Sequence, residues 1–142
     1  QTYLPIKLRT KIIDYLFKKF TDLIEEDVFS ELYININEMK KMQKDQMFFG
    51  SHGYNHIRWN FISNSEISNE IAKSINFFKK HGLFNENFSV SYPYGGYNKK
   101  VLNTIKKYDI KFCLTTETDS INKSNINKLF SLPRFDTNDF LK

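Results

Sequence analysis

A single cysteine, Cys113, excludes an intrachain disulfide and any zinc site built from several thiolates. It lies in an apolar stretch and reads as a small buried hydrophobe. No apolar run approaches the length of a membrane-spanning helix. No long block of like charges occurs either, so the net charge of +5 does not come from a basic nucleic-acid-binding tail. The lysines instead sit in scattered pairs (Lys18 and Lys19, Lys40 and Lys41, Lys79 and Lys80, Lys106 and Lys107), as on solvated helix faces. No nucleic-acid partner is expected. The start lacks the charged-then-apolar pattern of a secretory signal, which together with the lone cysteine favours the cytoplasm. The chain begins with Gln1 rather than methionine, so an upstream part is expected to have been removed or left out.

What is present suits a globular protein. With 142 residues, 40% of them hydrophobic and 16% aromatic, the chain can bury a sizeable core, and residues 1–142 are expected to form one domain. Residues 8–20 carry Ile12, Ile13, Leu16, Phe17 and Phe20 on one helical face. A second helix over 26–33 would turn Val28, Phe29 and Leu32 inward, with Glu25, Glu26 and Asp27 at its positive end. Asn37 is the expected cap of a third, carrying Met39 and Met42. Ser63 and Glu66 form a capping-box pair. It opens a helix with Ile67, Ile71, Ile75 and Phe78 at i, i+4, i+8 and i+11, closed by Gly82. His81, in its last turn, has a sufficient structural role there. Asn98 caps a further helix with Val101, Leu102, Ile105 and Tyr108 inward.

Between the helices lie three short apolar runs, 47–50, 88–92 and 110–114, expected as strands. Strands alternating with helices imply an α/β fold with parallel strands and right-handed crossovers. All loops that follow such strands leave from one edge of the sheet. The loops at 52–56, 93–98 and 115–120 should therefore converge where α/β proteins place their sites.

The first of those loops is Gly50-Ser51-His52-Gly53-Tyr54-Asn55-His56. Neutral imidazole is the commonest metal ligand, and two at i and i+4 can reach one cation if the segment turns helically. Zinc would hold each nitrogen at about 2.0–2.1 Å. A zinc-protease helix has Glu directly after the first histidine; Gly53 stands there instead, which removes that reading. The alternative is two ordinary polar residues in a turn. Trp59, Phe61 and Ile62 follow as an apolar collar, and Trp59 is either an aromatic platform at the site or packing. Arg134 and Asp136 are expected as a surface ion pair.

Gly50–His56, the helix with Ser65-Glu66-Ile67 and Glu70, and Ser91-Tyr92-Pro93-Tyr94-Gly95-Gly96-Tyr97-Asn98 together resemble the polysaccharide deacetylases. This is the nodulation-type deacetylase homology domain, or carbohydrate esterase family four. The resemblance covers about residues 39–136. It implies an incomplete (β/α)7-type barrel and a hydrolase acting on a non-peptide carbon–nitrogen bond. Such a hydrolase removes acetyl from an N-acetylated sugar or polysaccharide with a divalent metal, often zinc. It maps His52 and His56 onto the two metal-binding histidines. The backbone N–H of Tyr94 maps onto an oxyanion donor, and Tyr92, Pro93, Tyr94 and Tyr97, with Trp59 nearby, onto the substrate groove.

Three departures stand out. The family's first motif, Thr-Phe-Asp-Asp, supplies the third ligand and the base, and nothing before Phe48 resembles it. Asp14, Asp22 and Asp27 lie in or near helix ends and follow no strand. Ser91 occupies the position of the third-motif arginine, and no histidine follows His81. Either this is the later part of a longer catalytic domain, which the early helices favour, or it is a catalytically incomplete relative that binds sugar or serves as a scaffold. Two histidines alone leave zinc underligated, and the third ligand would lie outside this chain.

Overall fold

Ser63 does start a helix. The computed structural model describes residues 4–140. In it the Ser63 Oγ accepts the Glu66 N–H at 3.3 Å, and the Glu66 carboxylate accepts the Ser63 N–H at 2.8 Å. Those bonds, the one to the Ser63 backbone first, hold the Glu66 carboxyl below its ordinary range. The helix they open, α4, runs Asn64–Lys80, and His81 and Gly82 end it as expected, with Gly82 at φ 70°. Its inward stripe of Ile67, Ile71, Ile75 and Phe78 is buried. Each such side chain contributes about 1.5–3 kcal/mol by leaving water. The next helix, α5, spans Lys99–Ile105 and is capped by the Asn98 side chain, which accepts the Val101 N–H at 3.1 Å. It lies along α4, and the Tyr108 hydroxyl donates to the Ser68 carbonyl at 3.1 Å to fasten the two.

The chain divides into two compact units, residues 1–39 and 40–142. In the first, α1 covers Ile6–Phe20 and α2 covers Glu25–Leu32. The inward faces expected of them line a common groove, with Ile13 and Phe17 from α1 and Val28, Phe29 and Leu32 from α2, but they are not enclosed. No residue of α2 is buried, Leu32 is 72% exposed and Phe20 70% exposed. Helices of 15 and 8 residues have too few apolar contacts available to enclose a core of their own. The third helix, α3, is Ile36–Lys44 and crosses the unit boundary. Its cap is Asn35, not Asn37: Asn35 Oδ1 accepts the N–H groups of Asn37 and Glu38, and Glu38 returns a bond to the Asn35 N–H. Asn35 thus has the Glu three residues on that a capping box needs, which Asn37 lacks. No helix among the described residues is long and apolar enough to cross a membrane.

The second unit is built on parallel pairing. Strand β1, Ser89–Ser91, pairs with β2, Phe112–Leu114, with Val90 opposite Cys113. Single parallel bridges extend the pair on both sides, Ser51 to Val90 and Leu114 to Leu132. The expected strand at 47–50 is therefore reduced to one bridging residue, Ser51. Its N–H donates to Ser89 O and its carbonyl accepts from Ser91 N, both at 2.9 Å. Met47 and Phe48 are 50% and 74% exposed, so the apolar run before it has no layer to pack on. Leu132, which donates to Cys113 O at 2.9 Å, is a fourth position on the ladder that its surroundings did not announce. Val90 and Cys113 are buried while their strand neighbours are half-buried. Burial pushes the Cys113 thiol up to about 11.

Candidate functional site

Residues 52–56 leave the ladder directly after Ser51 and do not form a helix. The chain turns through two left-handed residues, Gly53 at φ 81° and His56 at φ 52°. That conformation suits glycine and strains histidine by about 1–3 kcal/mol. The helical route expected for the two imidazoles is thus replaced by a strained loop, yet the rings meet. His52 Nε2 and His56 Nε2 are 3.0 Å apart, with ring centroids at 4.7 Å.

The tautomer follows from the partners. His52 Nδ1 lies 2.8 Å from the Ser91 carbonyl, which can only accept, so Nδ1 carries the proton. The Nε2 lone pair of His52 then points at His56. An imidazole that donates Nδ1–H to a carbonyl and presents Nε2 is the usual form of a metal-binding histidine. Two nitrogens on a tetrahedral zinc stand roughly 3.3 Å apart, close to the spacing here. The pair fits a divalent cation as two of its ligands. Among the described residues no third His, Cys, Asp or Glu completes the group.

The other two loops converge on the same rim. The Tyr94 ring lies 4.6 Å from that of His56. Tyr94 is itself left-handed (φ 56°, ψ 23°) inside the turn Pro93–Gly95. Gly95 donates to Tyr92 O and Gly96 to Pro93 O, whereas no acceptor among the described residues takes the Tyr94 N–H. From the third loop, Glu117 accepts the Tyr97 hydroxyl hydrogen bond. A depression of about 380 Å³ beside His52 is lined by Gly50, Ser51, Ser89, Ser91 and Arg134.

The sequence profile of the polysaccharide deacetylases matches residues 22–113. The chain belongs to the polysaccharide deacetylase family. No curated protein matches it significantly. Among solved structures it is similar to the Streptococcus pyogenes deacetylase PplD, determined in complex with acetate. The two share 24% identity and superpose with a TM-score of 0.65. The match covers 84% of this chain and 47% of PplD, so the chain spans about half the length of that deacetylase. At this identity the likeness establishes the fold.

Several residues expected to face the deacetylase groove are buried beneath it. Trp59 and Tyr92 are each 1% exposed, and Pro93 is fully buried. None offers a face to a sugar. Trp59 meets Tyr92 edge-on at 6.0 Å, and the Tyr92 hydroxyl donates to Phe130 O at 2.7 Å. They are core because α5 packs on the Trp59–Phe61 turn and the ladder holds Tyr92, whose N–H donates to Leu114 O at 3.1 Å. Tyr94 and Tyr97 remain half-exposed. Arg134 and Asp136 take their hydrogen bonds elsewhere: Arg134 Nε donates to Thr115 O at 2.9 Å, and Asp136 accepts from the Asn138 backbone and amide, which hold its carboxyl below the ordinary range with a lesser pull from the Arg134 charge.

Tyr97 yields a pH signature. Partial burial first, then its bond to Glu117, push its phenol up to about 12. A raised value means that the stability it contributes is present below the unfolded value of about 10 and is lost as pH rises through 12. The difference in absorbance at 295 nm between the native chain and Tyr97→Phe should show one ionisation near pH 12. A step near 10 would mean that the ring is neither buried nor bonded to Glu117 as described.

Sequence reading gave Glu70 no role of its own and did not single out Ser74, yet both support the histidine loop. Both are buried, at 2% and 5% exposure. Glu70 Oε2 accepts the N–H groups of Tyr54 (3.1 Å) and Asn55 (2.9 Å), and its Oε1 accepts from the Asn55 amide. Ser74 Oγ hydrogen-bonds Ser51 Oγ, which also accepts the Gly53 N–H at 3.1 Å. The available signal was a carboxylate and a hydroxyl on the apolar stripe of α4, at positions that 3.6-residue periodicity assigns to the interior.

Proposed function

We propose that this chain carries part of the active site of a metal-dependent carbohydrate N-deacetylase, which hydrolyses the N-acetyl amide of an acetylated sugar or polysaccharide. The observation that carries the reading is the meeting of two Nε2 atoms, 3.0 Å apart, beside the Tyr94 turn. Family membership supplies the reaction class. The parallel ladder is one arc of a (β/α)7-type barrel, and the chain is the later part of a longer catalytic domain.

His52 and His56 would hold a divalent cation, and imidazole suits zinc among other transition metals. Such an ion would polarise the amide carbonyl and lower the pKa of a water towards about 7. The Ser91 carbonyl keeps His52 in the tautomer that exposes Nε2. Water adds to the amide carbon, and the carbonyl oxygen becomes an oxyanion. The Tyr94 N–H donates to that oxygen as charge develops, which a fixed donor does without reorganisation. The C–N bond then breaks, the nitrogen leaves as a protonated amine, and the acyl carbon leaves as acetate. The Tyr94 ring packs beside His56 and forms one wall, with Tyr97 next to it. The base carboxylate, the acid for the amine and the third ligand come from outside the described residues.

A second reading, a catalytically incomplete sugar-binding or scaffolding relative, draws support from the missing third ligand among the described residues. One titration tests the metal centre on which the first reading depends. Cobalt(II), read by its visible absorption, should bind the full-length protein. The double substitution His52→Ala/His56→Ala should weaken it by at least about 100-fold, since contacts behind a ligand alone are worth 10–100-fold. Equal affinities would remove the proposed centre.

A further inference from the structure

We infer that Glu70 is a positioning residue for the histidine pair: its buried carboxylate holds the loop that keeps His56 against His52. The inference rests on the metal-centre reading above and adds a residue to it. Tyr54 and Asn55 donate their backbone N–H groups to the Glu70 carboxylate and to no backbone carbonyl among the described residues. The loop ends at His56 in a left-handed conformation, φ 52°. One carboxylate on α4 thus gathers three donors from two successive loop residues. Both bonded residues lie directly between the two histidines.

The anchor is well placed for this work. Glu70 stands on the third turn-facing position of a helix whose neighbouring Ile67, Ile71 and Ile75 are locked in the core. It cannot follow the loop if the loop moves. Bonds to a charged acceptor are about twice as strong as neutral ones, and burial strengthens them further. Without the carboxylate, two adjacent N–H groups lose their acceptor. The chain is then free to leave the left-handed conformation at His56, which turns the ring away from His52. Ser74 and Ser51 pin only the start of the loop, up to Gly53. They cannot replace the contact at Tyr54 and Asn55.

The test is cobalt(II) affinity of the full-length protein carrying Glu70→Ala, Glu70→Gln or Asn55→Ala, each measured well below its own unfolding temperature. Glu70→Ala should bind 10–100-fold more weakly. Glu70→Gln keeps one oxygen for the two N–H groups and should recover most of the loss. Asn55→Ala, at an exposed position, should fold normally and lose a few-fold. A purely structural role would lower the melting temperature and leave affinity unchanged in the folded variants, and that result overturns the inference. Should Glu70→Ala not fold, unchanged affinity in Asn55→Ala overturns it equally. Failure of the unsubstituted protein to bind cobalt would instead sink the metal centre itself.

Discussion

Trp59→Ala should lower the free energy of unfolding by about 4 kcal/mol, within the 3–5 kcal/mol typical of emptying a buried aromatic site. The indole is 1% exposed and sits on the single turn Trp59–Phe61, three residues after His56. It touches both halves of the candidate site. Tyr92 packs edge-on to it, and its Cζ2 would lie 3.6 Å from a β-carbon at Gly53. Truncation therefore opens a cavity under the histidine loop and beside the Tyr94 turn together. Neighbours held by strands and helices can collapse into it only partly. Trp59→Phe should behave differently. The indole N–H is buried without an acceptor among the described residues, so losing it removes a cost as well as packing. A loss of about 1 kcal/mol is expected for the phenylalanine. Urea unfolding of both variants measures this, and a loss below about 1 kcal/mol for the alanine would show that Trp59 is not core.

The second large effect is expected at Gly95. It lies at φ 61°, and a β-carbon there would run into the Thr116 side chain, at 3.1 Å from Cγ2 and closer still to Oγ1. Gly95→Ala thus combines backbone strain of about 1 kcal/mol with overpacking of about 1–3 kcal/mol. A total of about 3 kcal/mol is expected. Thr116 is β-branched, so its χ1 has few alternatives, and the turn itself must shift. That shift moves the Tyr94 N–H, so under the proposed mechanism cobalt binding should persist while turnover falls. Thr116→Ala removes the obstructing atoms, and the double variant should recover 1 kcal/mol or more of the sum. Gly82→Ala is the control: φ is 70° there too, but the space is open. It should cost only the backbone share. Equal costs at Gly82 and Gly95 would show that the 93–97 and 115–120 loops do not touch as described.

The legible parts of this protein are those governed by neighbours in sequence. Helix α4 could be placed to within a residue because its capping box, its apolar period and Gly82 act within one to four positions. The cap at Asn35 was missed in favour of Asn37 because two asparagines compete and only one has Glu at the third position beyond it. Strand 47–50 was overread, because an apolar run reports propensity and not whether a partner is present on each side. The inward faces of α1 and α2 were overread for the same reason. Periodicity marks the side that could be buried, and burial itself requires an opposing layer.

At the site, residue types and spacing singled out His52 and His56, the family resemblance pointed to the Tyr94 turn, and the direction of parallel strands brought three loops to one edge. The first and last of those inferences need only side-chain chemistry and chain direction. Tertiary structure alone decided that the two imidazoles meet through a strained loop and not a helix turn, that Trp59 and Tyr92 are interior, and that Glu70 faces the loop. Each depends on groups far apart in the chain, Glu70 on Asn55, Ser91 on His52, Phe130 on Tyr92. Sequence encodes such contacts only through the completed packing, because a hydrogen bond or a buried ring stabilises the chain only where the fold supplies its partner.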